Sequence, residues 1–420
     1  MMPNSQEARV TEWSKPQPSS RVVVQAGARV PAATPEAQAG DKWVEVPTEF
    51  DAIMLSSYGG PNGQDDVIPF LRNVTMGRNI PDERLEEVAV HYREAGGVSP
   101  INEQNLALKA AIEEELKARN IDLPVYFGNR NWDPYFTEAV SKAHEENKVE
   151  GRPTKIFALV TSAYSAYSSC RQYREDFADA LEALDLWDDV QIDSSRTFFD
   201  HPGFVNPFIE GTLAAIAELV EEHPGLDLAN DVEVLFTAHS IPIKDNALSG
   251  EPDEHDYAEL GAYKAQHLAV GGLVMDAVKD TYNIDVPWEL VYQSESGPAH
   301  IPWLEPDIND YLEELKSKRK AVVVVPATFL SDHMEVWWDL DIEAKETADE
   351  QGLAYKRVAT PGVHPEFVAA MVDLVEERLN GTPASERKAL TKYGPGYDVC
   401  RAGCCQGSGP LRAATGGLLP

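Results

Sequence analysis

The chain has 420 residues, 43% hydrophobic and 25% charged, with 36 Lys and Arg against 70 Asp and Glu for a formal net charge of -34. That length supports one large α/β domain or two smaller ones with a sizeable core, and the charge argues against non-specific binding to nucleic acid or anionic lipid. No apolar run approaches the ~18 residues of a membrane span, and four cysteines do not make a disulfide scaffold.

Residues 1–47 are rich in Pro, Ala, Gln and Ser, without helical or strand periodicity, which predicts a disordered or loosely attached extension. Met1 to Ser5 show no basic region followed by an apolar stretch, so no secretory leader is expected, and the chain reads as soluble and cytoplasmic. From Glu49 onward, short apolar runs alternate with amphipathic stretches in the βαβ rhythm. Strands are expected at 52–57, 125–130 and 155–161, then 190–194, with helices at 100–119, 133–147, 171–184 and 203–222. The second half repeats the pattern. Its strands are expected at 232–237, 288–293, 321–325 and 353–358, and its helices near 257–281, 334–351 and 365–379. The expected fold class is α/β: two similar doubly wound, Rossmann-like lobes with parallel sheets and a cleft between them. The lobes are taken as 48–225 and 226–385, with 386–420 a cysteine-containing tail.

In such sheets ligands sit beyond the carboxyl ends of the strands. Phe236-Thr237-Ala238-His239-Ser240-Ile241-Pro242 puts an imidazole just past a buried strand, where it can take a proton near neutral pH, ligate a metal, or simply bond a loop carbonyl. In the segment 329–343, a helix beginning near Ser331 would align Glu335, Asp339 and Glu343 at four-residue steps, as one carboxylate ridge. Such a row is either a solvated acidic face or a path for a cation or proton. Asp341 breaks its regularity, and Trp337, Trp338 and Ile342 suggest partial burial.

The motifs Ser-Tyr-Gly-Gly-Pro (57–61), Gly-Gly-Val-Ser-Pro-Ile (96–101), Phe-Thr-Ala-His-Ser-Ile-Pro (236–242), Gln-Ser-Glu-Ser-Gly-Pro (293–298) and Phe-Leu-Ser-Asp-His-Met-Glu (329–335) together resemble the ferrochelatases, in order, from about Asp51 to Leu379. That resemblance implies insertion of Fe²⁺ into a porphyrin with release of two protons, and no nucleotide cofactor. It implies that His239 and Glu335 are the catalytic pair and metal contacts, and that Asp339 and Glu343 belong to a metal or proton conduit. It further implies porphyrin contacts from Tyr58, Ser99, Arg130 and Arg78 or Arg84. Tyr58 tilts the expected substrate toward coproporphyrin III, giving coproheme, in place of protoporphyrin IX. A non-catalytic tetrapyrrole carrier is the reading from another class, and it would predict loss of His239 or Glu335. Cys170, Cys400, Cys404 and Cys405 match in number and layout the ligands of a [2Fe–2S] cluster carried by some family members. The resemblance also implies a monomer, in transient contact at most with neighbouring heme-pathway enzymes.

Overall fold

The structure is a computed structural model that describes residues 32–40, 42–76, 80–250, 257, 260–297, 300–400, 403–407 and 412–416. The first sheet contains β1 (Ala52–Ser57), β2 (Val125–Asn129), β3 (Thr154–Val160) and β4 (Val190–Ser194), all parallel in the order β2-β1-β3-β4. The second contains β5 (Val232–His239), β6 (Trp288–Gln293), β7 (Ala321–Val325) and β8 (Ala354–Arg357), parallel in the order β6-β5-β7-β8. The two orders are the same permutation, so the expected pair of similar doubly wound lobes is present. Strands such as Ala321–Val325 are apolar throughout and fully buried because helices cover both faces of a parallel sheet.

A short α1 (Pro35–Ala39) precedes β1, and α2 (Val67–Val74), α3 (Asp82–Glu94) and α4 (Ile101–Ala118) separate β1 from β2. Next come α5 (Phe136–Asn147), α6 (Gln172–Leu184), α7 (Pro202–Glu222), α8 (Ile243–Ala247), α9 (Ala262–Tyr282) and α10 (Ile308–Leu315). A continuous winding, α11, joins Met334–Val336, a π segment Trp337–Glu343 and Ala344–Gln351, and α12 (Pro365–Asn380) closes the second lobe. The helix expected from 257 begins at Ala262, after Gly261 at φ +74°, whose missing side chain lets Asn246 O approach to 2.3 Å of where a Cβ would stand.

Two expectations need correction. Residues 32–47 are not loosely attached: Ala32, Ala33, Ala37 and Val44 are buried, and Thr34 caps α1 while bonding Asp193 through both its N–H (3.0 Å) and Oγ1 (2.6 Å). Asp193 also pairs with Arg378 at 2.6 Å. The polar composition concealed this docking because a few alanines and one threonine carry it. Residues 1–31 lie outside the described residues. The second correction concerns α7, which the boundary at 225 assigns to the first lobe. It packs instead on α9, α12 and β7, with Gly203 against Glu366 and Gly211 against Val358. In exchange α12 reaches α4 of the first lobe, so one core runs through both lobes. The same helix is long and apolar enough to cross a membrane, but half of that stretch is buried in this core.

Candidate active site and cysteine site

Both sheets reverse strand order between their first and third strands in sequence, β1 and β3 in one and β5 and β7 in the other, and sheets of this kind bind ligands at that point, outside the carboxyl ends of the strands. Tyr58 follows β1. His239 ends β5, and the segment after β7 leads to Glu335 at the start of α11. Adjacent strands therefore bring His239 and Glu335 together, with His239 Nε2 3.6 Å from Glu335 Oε2. His239 Nδ1 contacts Ser240 O at 2.6 Å, which leaves Nε2 as the reactive face of the ring.

Second contacts fix both groups. His333 Nδ1 accepts the Glu335 N–H at 3.2 Å and so caps the helix that carries the carboxylate. Burial keeps His333 below the ordinary imidazole value, as an N-terminal cap acceptor requires. Gln293 lies opposite His239 in the parallel ladder, and its Nε2 donates to Glu335 O (2.9 Å) and Asp339 Oδ2 (3.2 Å). Ser294, held at φ +61°, turns its hydroxyl onto the same Asp339 oxygen. A non-glycine residue in that conformation is a strained position of the kind found at functional sites.

The acidic row is real but is not a plain α-helical ridge. Residues 337–343 wind as a π segment, a rare turn frequent at functional sites. Asp339 faces Gln293 and Ser294, and Glu343 accepts from Trp338 Nε1 at 2.7 Å. Asp341 points elsewhere, to Arg357, which also holds Asp332.

The electrostatics differ along this row. Burial disfavours charge on His239, but the Glu335 carboxylate, the Ser240 carbonyl and Asp339 outweigh it and raise the imidazole to about 9. Glu335 moves the opposite way, to about 2, because the pull of His239 and His333 exceeds the burial cost. Side chains 29% and 43% exposed leave the pair partly screened by water. Asp339 is raised to about 7, chiefly by burial, against the Ser294 bond and with help from Glu335 and Glu343. A titratable group poised near neutrality thus stands beside an ion pair.

The opposite wall comes from the first lobe. Gly59 adopts φ +83° with Asn129 Cβ 2.8 Å from where its own Cβ would be, so only glycine lets the 58–61 loop turn there. Tyr58 O accepts from Asn131 N (3.1 Å) and Nδ2 (3.2 Å). Tyr92, on α3, was not singled out from sequence. It lies within electrostatic reach of Tyr58, Glu335 and Asp339, and burial and those groups push its hydroxyl well above the usual phenol range. Beside it, His91 stacks on Trp338 with ring centroids 4.1 Å apart and planes 7° from parallel, joining α3 to the π segment.

Other expected porphyrin contacts fall as follows. Ser99 is buried against Gly60, its N–H bonded to Pro61 O at 2.9 Å. Arg130 is buried, paired with Asp176 at 2.7 Å, and lies over the rings of Tyr58 (5.6 Å) and Tyr173 (4.8 Å). Its place is behind Tyr58, because Asp176 on α6 supplies the carboxylate that a buried guanidinium needs. Arg84 is exposed on α3 and paired with Glu87. Arg78 lies outside the described residues.

The four cysteines converge on one place. The sulfurs of Cys404 and Cys405 are 3.9 Å apart, with Cys170 next to Cys405 and Cys400 next to Cys404. Gly250 N donates to Cys405 Sγ at 3.2 Å. Cys405 accepts from both neighbours and is pushed well below the ordinary thiol value, whereas Cys170 and Cys404 are pushed above it by donating and by burial. Nearby Arg174 is buried with no bonded partner for Nε or Nη2 among the described residues. Four thiols in a row beside an unmatched cation fit an anionic two-iron cluster, which takes four thiolate ligands. Among the described residues, no three of His, Cys, Asp and Glu are disposed to hold a single metal ion, here or in the cleft.

A profile of the ferrochelatase family matches residues 50–379. The chain is 55% identical over 395 residues to the coproporphyrin III ferrochelatase of Leifsonia xyli subsp. xyli, an alignment covering 92% of this chain and 99% of that protein. It is 48% identical over 375 residues to the coproporphyrin III ferrochelatase of Tropheryma whipplei, covering 89% and 93%. Against the coproporphyrin III ferrochelatase of Streptomyces griseus it is 48% identical over 379 residues, covering 89% and 98%.

Proposed function

The chain belongs to the ferrochelatase family, and on that premise we propose that it inserts ferrous iron into coproporphyrin III to give coproheme. The observation that carries the reading is the His239–Glu335 pair at 3.6 Å, on the opposite wall of the cleft from Tyr58 and Tyr92. A carrier would need neither the pair nor the poised Asp339.

Metalation exchanges two pyrrole N–H bonds for bonds to Fe²⁺, and two protons leave. Before metalation His239 is an imidazolium facing a carboxylate, because its value is raised to about 9 and that of Glu335 is lowered to about 2. An approaching dication disfavours the imidazolium, and its proton passes to the carboxylates. Neutral Nε2 then takes a pyrrole proton, with Glu335 stabilising the charge that returns. Asp339, near half-charged at neutral pH, receives protons from Glu335 and passes them along the row to Glu343. The same carboxylates bring the incoming Fe²⁺ inward as transient ligands.

Tyr58 faces the other side of the ring, with Arg130 fixing its orientation from behind. Propionate contacts are assigned to Ser99, through the 58–61 loop, and to Arg84 on α3. Cys170, Cys400, Cys404 and Cys405 hold a [2Fe–2S] cluster, which supplies a structural tie and a one-electron centre when bound. We place the protein in the cytoplasm as a monomer. Anaerobic steady-state metalation of coproporphyrin III and protoporphyrin IX under the same conditions tests the substrate assignment. Faster turnover of coproporphyrin III is expected, and faster protoporphyrin IX would reassign the substrate.

A further inference from the structure

We propose that Arg174 is the counter-cation of the four-cysteine site and sets the reduction potential of the cluster bound there. The proposal rests on the cluster reading given above. The other guanidiniums around α6 all have carboxylate partners. Arg130 is matched to Asp176 (2.7 Å), Arg171 to Glu175 (2.9 Å), and Arg412 to Glu175 (3.2 Å) and Asp179 (2.5 Å). Arg174 lies among them, only 5% exposed, and among the described residues it has no carboxylate partner and no hydrogen-bond partner for Nε or Nη2. Burying a charge without a partner is expensive enough that native structures avoid it.

What Arg174 does face is sulfur. It stands one helical step, i to i+4, from Cys170 and lines the same cavity as Cys170, Cys400 and Cys404. All four cysteines act on it electrostatically, each favouring its charged form. A [2Fe–2S] centre on four thiolates is anionic and gains a further negative charge on reduction. A fixed, water-shielded cation beside it stabilises the reduced form more than the oxidised form, so Arg174 raises the potential. The Gly250 N–H on Cys405 acts in the same direction, since hydrogen bonds to the sulfurs are among the factors that set such potentials.

The test uses full-length protein purified anaerobically, as wild type, Arg174→Met and Arg174→Lys. Iron and acid-labile sulfide per chain are measured first, then the midpoint potential by redox titration followed by electron paramagnetic resonance. The expected result is a midpoint in Arg174→Met lowered by a tenfold change in the reduction equilibrium, ~59 mV for one electron, with Arg174→Lys near wild type. Loss of the cluster in Arg174→Met but not in Arg174→Lys also supports the charge role. A loaded Arg174→Met protein with an unmoved midpoint overturns the proposal, as do equal shifts or equal cluster loss in the two variants. Wild-type protein without iron and sulfide would instead sink the cluster reading itself, and this proposal with it.

Discussion

His239 Nε2 and Glu335 Oε2 stand 3.6 Å apart, each delivered by the carboxyl end of one of two neighbouring parallel strands, β5 and β7. The pair is charged before metalation and must be discharged for the ring to lose its protons, so the site should depend on pH in a definite direction.

Activity requires neutral His239, whose value is held at about 9, so kcat/KM for the porphyrin should rise with pH through that region. Replacing Glu335 by Gln removes the largest raising influence and leaves burial, which lowers the value. The rising limb should then move to lower pH, while kcat falls by roughly 10²-fold or more. A Glu335→Gln profile superimposable on wild type would count against the pairing.

Asp339, raised to about 7, is mostly charged at pH 8 and mostly neutral at pH 6. Asp339→Asn should therefore cost more at the higher pH. We expect a loss on the order of 10-fold at pH 8, below the 10²–10⁴ typical of a direct base, shrinking toward pH 6. A loss independent of pH would mean that Asp339 serves only as a bonding partner for Ser294 and Gln293.

The His91–Trp338 stack ties the arm carrying Tyr92 to the π segment carrying Asp339. An aromatic pair contributes about 0.5–1.5 kcal/mol, so His91→Ala should raise the porphyrin KM roughly two- to tenfold through lost preorganisation of the arm. Iron KM should change little. An unaltered porphyrin KM would contradict the assigned role.

A stability prediction concerns His267, buried on α9, stacked 3.7 Å from Tyr164 and bonded to Tyr263 O and Thr328. Burial lowers it to about 3, against an ordinary value near 6.5. Both folded and unfolded states are neutral above that value. As pH falls below it the unfolded chain takes the proton first, so stability is lost from about 6.5 down to about 3. The loss by pH 5 is ~2 kcal/mol at 1.36 kcal/mol per unit. Denaturant titrations should show His267→Gln less stable than wild type at pH 7, yet losing ~2 kcal/mol less between pH 7 and pH 5. Equal losses in the two proteins would place the acid sensitivity elsewhere.

The strands are readable from sequence mainly because parallel strands buried on both faces are short apolar runs, such as Ala321–Val325, whereas the half-buried edge strand β8 is a weaker run. Missed were α1, α2, α8 and α10, of only five to eight residues each, and α3, whose segment Asp82–Glu94 is so charged that only Leu85 and Ala89 are buried. The π winding of 337–343 was invisible to a test that assumes 3.6 residues per turn, although it decides that Asp339 and Asp341 face different partners. His239 and Glu335 could be located at strand ends, but their meeting depends on strand order. Tyr92 had no signal of its own beyond preceding the Gly96-Gly97 turn, and Arg174 had only its spacing from Cys170. The pairing of Arg130 with Asp176 had no sequence signal, because the two residues stand on different elements 46 positions apart.

The most direct measurement is anaerobic single-turnover metalation of coproporphyrin III with Fe²⁺, followed by the change from free-base to metalloporphyrin absorption, in wild type and His239→Ala. The account predicts metalation by wild type and none above the uncatalysed rate by a variant that still binds the porphyrin. Metalation by His239→Ala at the wild-type rate, or porphyrin binding without metalation by wild type, would contradict it.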